Sequence, residues 1–256
     1  MMLDVERLDE TCIKKLANEE VLAIRVKGLL PRSLAMQIGD KILTPGFEGD
    51  ITAPRIGRIG MAFYDAEDQP LLSEDYFARA TRNIAELRNR CAPYPSPVDT
   101  LRCMLDESWP AGAHLENLYG RKMYVGLSRV VKPGVCFLAH HDIFAKDAPD
   151  SYQARSLEAQ FACNVYLNMP TEGGALQMWD DDISPDQFDE MRGDSYGIDP
   201  ALLGPAALEI LPEPGDFIMF NSRRMHSVTP GVADPRLSLS FFVGYRGNAS
   251  PLTFWS

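Results

Sequence analysis

The residues of this chain best suited to do chemistry lie in a short run, "LAHHDIF" (138–144), where two of its four histidines are adjacent and an aspartate follows. In an extended strand residues i and i+2 point the same way, so His140 and Asp142 share a face while His141 points to the other side. Were His141 the ligand, its i+2 partner would be Ile143, which cannot coordinate a metal. His140 and Asp142 are therefore the pair, and a third ligand must come from a distant strand. His114, near the "PAG" turn, is expected at the surface, which leaves His226. Two imidazoles and one carboxylate on one face leave three coordination positions open, an arrangement suited to non-haem Fe(II) that must bind further groups. Ten residues beyond His226 stands Arg236, followed by Ser238. On a strand these two face one side, and a guanidinium grips a carboxylate through two parallel hydrogen bonds.

Strands must bring these residues together, and from about residue 120 the chain supplies them. Short apolar runs, "RKMYVGLSRVV" (121–131), "QFACNVYLN" (160–168), "ALQMW" (175–179), "AALEILP" (206–212), "DFIMF" (216–220) and "RLSLSFFVGY" (236–245), alternate with Pro and Gly turns such as "PTEGG" and "PEPG". Many short strands with regular turns predict a sandwich or barrel. Within "FACNVYLN", Phe161, Cys163, Val165 and Leu167 form one apolar face and Asn164 and Tyr166 the other. An inner face bearing Asn and Tyr reads as a site, not a core.

The first 118 residues read as helical and loop-rich. Leu34, Ile38 and Ile42 predict a helix over 32–43; Phe77, Ala80, Ile84 and Leu87 predict one over 73–90 with Ser73 as its cap; Ser96, Pro97 and Asp99 open a third. Between the first two lies a glycine-punctuated arm, "TAPRIGRIGMAF" (52–63), with Arg55 and Arg58. The whole is read as one domain, 1–256, with a helical N-terminal portion (1–118), a β core (119–256) and an insertion at 180–205.

His140-x-Asp142, His226 and Arg236-x-Ser238 together resemble the HxD…H…RxS signature of the iron(II)/2-oxoglutarate-dependent oxygenases, in particular the prolyl-4-hydroxylase-like branch. "FNSRRMHSVTP" is similar to that branch's distal-histidine segment, and "CNVYLNMPTEGGALQMW" to its strand, turn and Gly-Gly strand. The likeness covers residues 120 to 246. It implies a double-stranded β-helix (jelly-roll, cupin-like) core with the N-terminal helices packed outside. It implies Fe(II) on His140, Asp142 and His226, O2 as oxidant, ascorbate as reductant in vitro, and 2-oxoglutarate chelating the iron with its far carboxylate on Arg236. Tyr166, Ser238 and Asn164 would complete that co-substrate site. The implied activity is hydroxylation of an unactivated C–H of a small molecule, an amino acid or secondary metabolite, with release of succinate and CO2. A peptidyl hydroxylase and a non-catalytic metabolite-binding barrel are the alternatives. Radical halogenases, which are relatives, replace the carboxylate by Gly or Ala to admit chloride; this chain keeps Asp142.

Substrate-contact candidates are Arg129, one strand before the HxD pair, then Trp179, equally consistent with core, and Arg58, equally consistent with a solvated arm. Residues 180–199, "DDDISPDQFDEMRGDSYGID", hold eight acids and one base. Ser184, Pro185 and Gln187 predict a capped short helix there. It is either a solvated surface helix or a lid whose charge would favour an amine-bearing substrate. The chain's net charge of −11 gives no electrostatic reason to bind nucleic acid. Five cysteines without CxxC spacing read as reduced thiols of a cytoplasmic protein, monomeric or dimeric. No apolar run is long enough to span a membrane.

Overall fold

The computed structural model describes residues 1–45, 48–49, 56–66, 70–181 and 183–256. Its principal strands are β1 (Met2–Val5), β2 (Ala23–Val26), β3 (Ile56–Ile59), β4 (Ala113–Leu115), β5 (Leu127–Val131), β6 (Phe137–His140), β7 (Ala159–Asn168), β8 (Leu176–Met178), β9 (Leu208–Ile210), β10 (Phe217–Asn221), β11 (His226–Val228), β12 (Arg236–Tyr245) and β13 (Leu252–Trp255). The principal helices are α1 (Glu10–Ala17), α2 (Arg32–Leu43), α3 (Pro70–Cys91), α4 (Pro97–Ser108) and α5 (Pro185–Arg192).

From β5 onward the chain alternates between two sheets. The large one has the order β10-β7-β12-β5 at its centre, all antiparallel, and the small one runs β9-β8-β11-β6. This is the double-stranded β-helix expected from the sequence. β1 and β2 extend the large sheet beyond β10, and β3 extends it beyond β5. The N-terminal portion is thus less purely helical than expected: β1, β2 and β3 all continue the core sheet.

Period-2 alternation decides which face of the large sheet is covered. Phe161, Cys163, Val165 and Leu167 of β7 and Leu237, Leu239, Phe241 and Val243 of β12 pack against α1, α2 and α4 in one buried cluster. Each such fully buried side chain contributes roughly 1.5–3 kcal/mol, so this layer anchors the sheet. Helix α2 lies close on β7, where a Cβ at Gly39 would stand 3.4 Å from Leu167. The other face looks into the barrel, where Ala162 and Tyr166 meet Leu176, Met178, Ile210 and Phe220. The turn between β7 and β8 requires glycine at 173, which has φ +74° and would place a Cβ 2.0 Å from the Pro230 carbonyl oxygen.

The helix spacings hold for α2, where Ala35, Ile38 and Ile42 are buried. Helix α3 begins at Pro70, so Ser73 lies inside it and is not its cap. Ser96 occupies the N-cap position of α4 but its side chain makes no capping bond.

Candidate active site

β6 and β11 pair so that His140 faces His226 directly. The next ladder pair is Val228 with Phe137, so Leu138 and Ala139 together oppose Ser227 alone. This β-bulge turns both Phe137 and His140, three residues apart, toward the pocket, where their rings stack at 5.1 Å. His140 Nδ1 lies 2.8 Å from the Leu138 carbonyl oxygen and His226 Nδ1 lies 3.0 Å from that of Arg224. A carbonyl only accepts, so each Nδ1 carries the proton and each Nε2 is left with its lone pair free.

Asp142 lies just past β6 and is pinned to the end of β10. Its N–H donates to the Ser222 carbonyl at 2.8 Å, and Ser222 Oγ donates to the Asp142 carbonyl at 3.3 Å. Its carboxylate oxygens then stand 3.9 Å from His140 Nε2 and 3.4 Å from His226 Nε2. One ligand atom from each residue falls within 4.8 Å of the others, the separation a single ion spans. Burial, then the neighbouring His226, pushes the His140 imidazole down to about 3. It is therefore neutral near pH 7, the form that coordinates. Burial pushes the Asp142 carboxyl up, but contact with His226 and the charges of His140, His226 and Arg129 outweigh it and hold the group below the ordinary carboxylate range. The neutral His140 imidazole, the His226 imidazole and the ionised Asp142 carboxylate form a donor set that suits Fe(II).

The same cavity, about 610 Å³ with its mouth, is lined by Arg236 and Ser238 of β12 and Asn164 of β7. Arg236 is only 6% exposed and lies over the Tyr166 ring, 4.9 Å from the centroid, with Nη2 donating to Tyr166 Oη at 3.4 Å. Among the described residues, no carboxylate pairs with it, and its Nε and the buried Ser238 Oγ have no hydrogen-bond partner. Burying a charge costs several kcal/mol, whereas a desolvated cation–π contact returns about 2 kcal/mol. The deficit calls for an anion. Burial lowers the Arg236 guanidinium from its usual range, and burial raises the Tyr166 hydroxyl. A dicarboxylate whose near end reaches the metal and whose far end meets Arg236 and Ser238 fits both orphaned groups.

Residues 125–244 match the family model of the 2OG-Fe(II) oxygenase superfamily. Over those residues the chain is similar to that superfamily. Its iron and 2-oxoglutarate are the groups that the donor set and the unpaired guanidinium accommodate. The chain is 29% identical over 164 residues to the L-gamma-glutamyl-L-propargylglycine hydroxylase of Streptantibioticus cattleyicolor. That match takes in 63% of this chain and 59% of the relative's own length. In fold, the chain is similar to an N-substituted L-amino acid dioxygenase from Burkholderia ambifaria crystallised with alpha-KG. The TM-score is 0.64 at 17% identity, covering 96% of this chain and 90% of the other.

Other expectations fare unevenly. Arg129 lines the cavity, with its guanidinium 5.6 Å from the Tyr64 ring centroid and 5.8 Å from that of Phe137. Trp179 does not reach the cavity: it is buried on the outer side of the small sheet with Ala139, Phe188, Ile198 and Met225, its indole N–H on the Gly204 carbonyl. Arg58 is neither solvated nor in the cavity, because β3 pairs it beside β5 and its guanidinium is committed to buried Asp65. Arg55 and Asp182 lie outside the described residues. His141, on the opposite side from His140 as the alternation requires, is buried against Phe188, ring centroids 4.4 Å apart. Neither of its ring nitrogens has a partner among the described residues, and burial, then Lys146, pushes its imidazole down to about 4.

The predicted helix in the acidic segment forms as α5, with the Ser184–Gln187 capping box in place. What charge counting missed is how the segment attaches. Ile198 exchanges two 2.8 Å backbone hydrogen bonds with Ala139, and Tyr196 accepts one from Leu138 N–H at 2.8 Å. Phe137, Phe220 and Val228, which wall the cavity, were likewise not singled out. The bulge that turns Phe137 inward leaves no mark in a local pattern.

Proposed function

We propose that this chain is an Fe(II)/2-oxoglutarate-dependent dioxygenase that hydroxylates an unactivated C–H of a small, carboxylate-bearing amino acid derivative. The observation that carries the reading is a buried guanidinium with no carboxylate partner among the described residues, set in the same cavity as two imidazoles and an aspartate. When bound, Fe(II) with 2-oxoglutarate and O2 supplies the oxidising power, and succinate and CO2 are the coproducts. The chain's own residues do the rest. His140, Asp142 and His226 hold the metal; Arg236, with Ser238, Tyr166 and Asn164 beside it, holds and orients the co-substrate. The apolar walls, Phe137, Leu176, Phe220 and Val228, exclude water from the reacting face. With Asp142 in the ligand set, a halide lacks the position it needs, so hydroxylation is the outcome and chlorination is not.

Arg129 is the substrate's anchor in this reading. With Arg236 assigned to the co-substrate, it is a second guanidinium in the cavity, suited to a substrate carboxylate. The Streptantibioticus relative, named for hydroxylating L-gamma-glutamyl-L-propargylglycine, supports a substrate of this size and polarity. The acidic segment, attached beside the metal strand, carries a negative field that favours an amine-bearing substrate. Five free cysteines support a cytoplasmic setting, and among the described residues no helix is long and apolar enough to cross a membrane. A monomer or a dimer suffices for this site, since every assigned residue comes from one chain.

The test is a 2-oxoglutarate turnover screen with Fe(II) and ascorbate over amino acids and γ-glutamyl dipeptides, reading succinate and hydroxylated product together. Arg129→Gln should raise KM for the accepted substrate at least tenfold while leaving KM for 2-oxoglutarate near its original value. Failure of every carboxylate-bearing candidate, with turnover on a folded peptide or on none, sinks the small-molecule reading.

A further inference from the structure

The bulge in β6 sets His140 in place but leaves the N–H groups of Leu138 and Ala139 outside the ladder with β11. The Leu138 N–H is half-buried, and it belongs to the residue whose carbonyl fixes the His140 tautomer. Tyr196 supplies the acceptor. Its Oη takes the Leu138 N–H at 2.8 Å, and its ring packs edge-on against Phe137 at 5.9 Å and His140 at 6.3 Å. Two residues on, Ile198 holds the other bulge residue, Ala139, through both of its backbone groups. The insertion thus grips each residue of the bulge, and at Leu138 both backbone groups are engaged, the N–H by Tyr196 and the carbonyl by His140.

We propose that Tyr196 is a positioning residue for the metal ligand His140, acting through the backbone of Leu138. The inference rests on the assignment of His140, Asp142 and His226 as the metal site. Loss of an outer hydrogen-bond partner of a ligating histidine weakens metal binding by roughly 10–100-fold. Tyr196→Phe keeps the ring and removes the acceptor.

The experiment titrates Co(II), whose visible absorption reports coordination geometry, into the metal-free wild-type, Y196F and F188A proteins. Y196F should bind about tenfold more weakly with an altered spectrum and a nearly unchanged Tm. F188A, which loosens the insertion without touching the acceptor, should lower Tm and keep wild-type affinity and spectrum. Wild-type affinity in Y196F overturns the inference, as does an equal loss in F188A. If the wild-type protein itself takes up no Co(II), the metal-site assignment falls, and the inference with it. Two readings need no metal. Histidine ring 15N shifts in the metal-free protein should place the His140 proton on Nδ1 in wild type and on a mixture of nitrogens in Y196F. In wild type alone, the Leu138 amide should exchange with solvent as slowly as that of Ala139; rapid exchange there overturns the proposal without any variant.

Discussion

In the large sheet β7 and β12 each run ten residues, while in the small sheet β6 has four and β8, β9 and β11 have three each. The large sheet is covered on its outer face by α1, α2 and α4 and a continuous apolar layer. The small sheet is covered by a separate cluster of Trp179, Phe188, Ile198, Met225 and Ala139, part of it contributed by an acidic insertion. The chemistry divides along the same line. Arg236, Ser238 and Tyr166, the proposed co-substrate grip, stand on the long strands, and His140 and His226 stand on the short ones. A carboxylate clamp is a matter of matching two rigid partners, so long ladders and a deep core suit it. Metal ligands need an irregular backbone that brings three side chains to one point, which the bulge in β6 and the loop carrying Asp142 provide.

Four sets of substitutions would break or sharpen that division. The largest effect is expected in the small sheet: His226→Ala or His140→Ala should abolish Fe(II) binding, measured as bound iron per chain after anaerobic loading. His141→Ala should leave it largely intact, because that ring faces Phe188 and not the cavity. Loss of iron in His141→Ala with retention in His140→Ala would reverse the choice within the pair. Next, Arg236→Ala in the large sheet should leave the metal and raise the 2-oxoglutarate concentration for half-saturation at least a hundredfold, about 3 kcal/mol, since a buried carboxylate would lose its charged partner. An unaltered titration removes Arg236 from the site. Third, Phe161→Ala, beneath the large sheet and fully buried, should cost about 3–5 kcal/mol in denaturant unfolding. Phe188→Ala should cost less, because its cluster is small and lies at the edge of the molecule. Equal costs would mean the two layers are not different in kind. The smallest effect belongs to the exposed acids. Changing Asp180 and Asp181 to Asn should shift KM for an amine-bearing substrate by roughly twofold at low salt and vanish near 0.15 M, where exposed charges are screened.

Much of the large sheet was legible. β12 spans the residues of its apolar run, and both faces of β7 follow from simple alternation, because a strand covered on one side must separate its side chains by type. That His140, Asp142 and His226 would meet was legible for a related reason: few residue types bind iron, and the chain has only four histidines. What stayed hidden depends on partners far apart in sequence. β2 joins the large sheet by pairing with β10, Phe217 opposite Val26, and nothing within Ala23–Val26 announces a neighbour so distant. Arg58 looked free because its partner Asp65 lies beyond the strand that carries it. Trp179 follows the last residue of β8, and alternation alone did not say on which side of the small sheet it would fall. The acidic segment showed its charge and its cap, but not that Tyr196, Ile198 and Phe188 turn inward.

The pairing of Ile198 with Ala139 has a consequence unrelated to iron. β6 is the outermost strand of the small sheet, and an outermost strand presents bare amides and carbonyls on which another molecule's strand can add. Ile198 occupies those groups at Ala139, and the acids around it charge the approach. A chain shortened between residues 180 and 205 would therefore fail first in the test tube by sticking to its own kind, with turbidity appearing before any change in bound metal is measured.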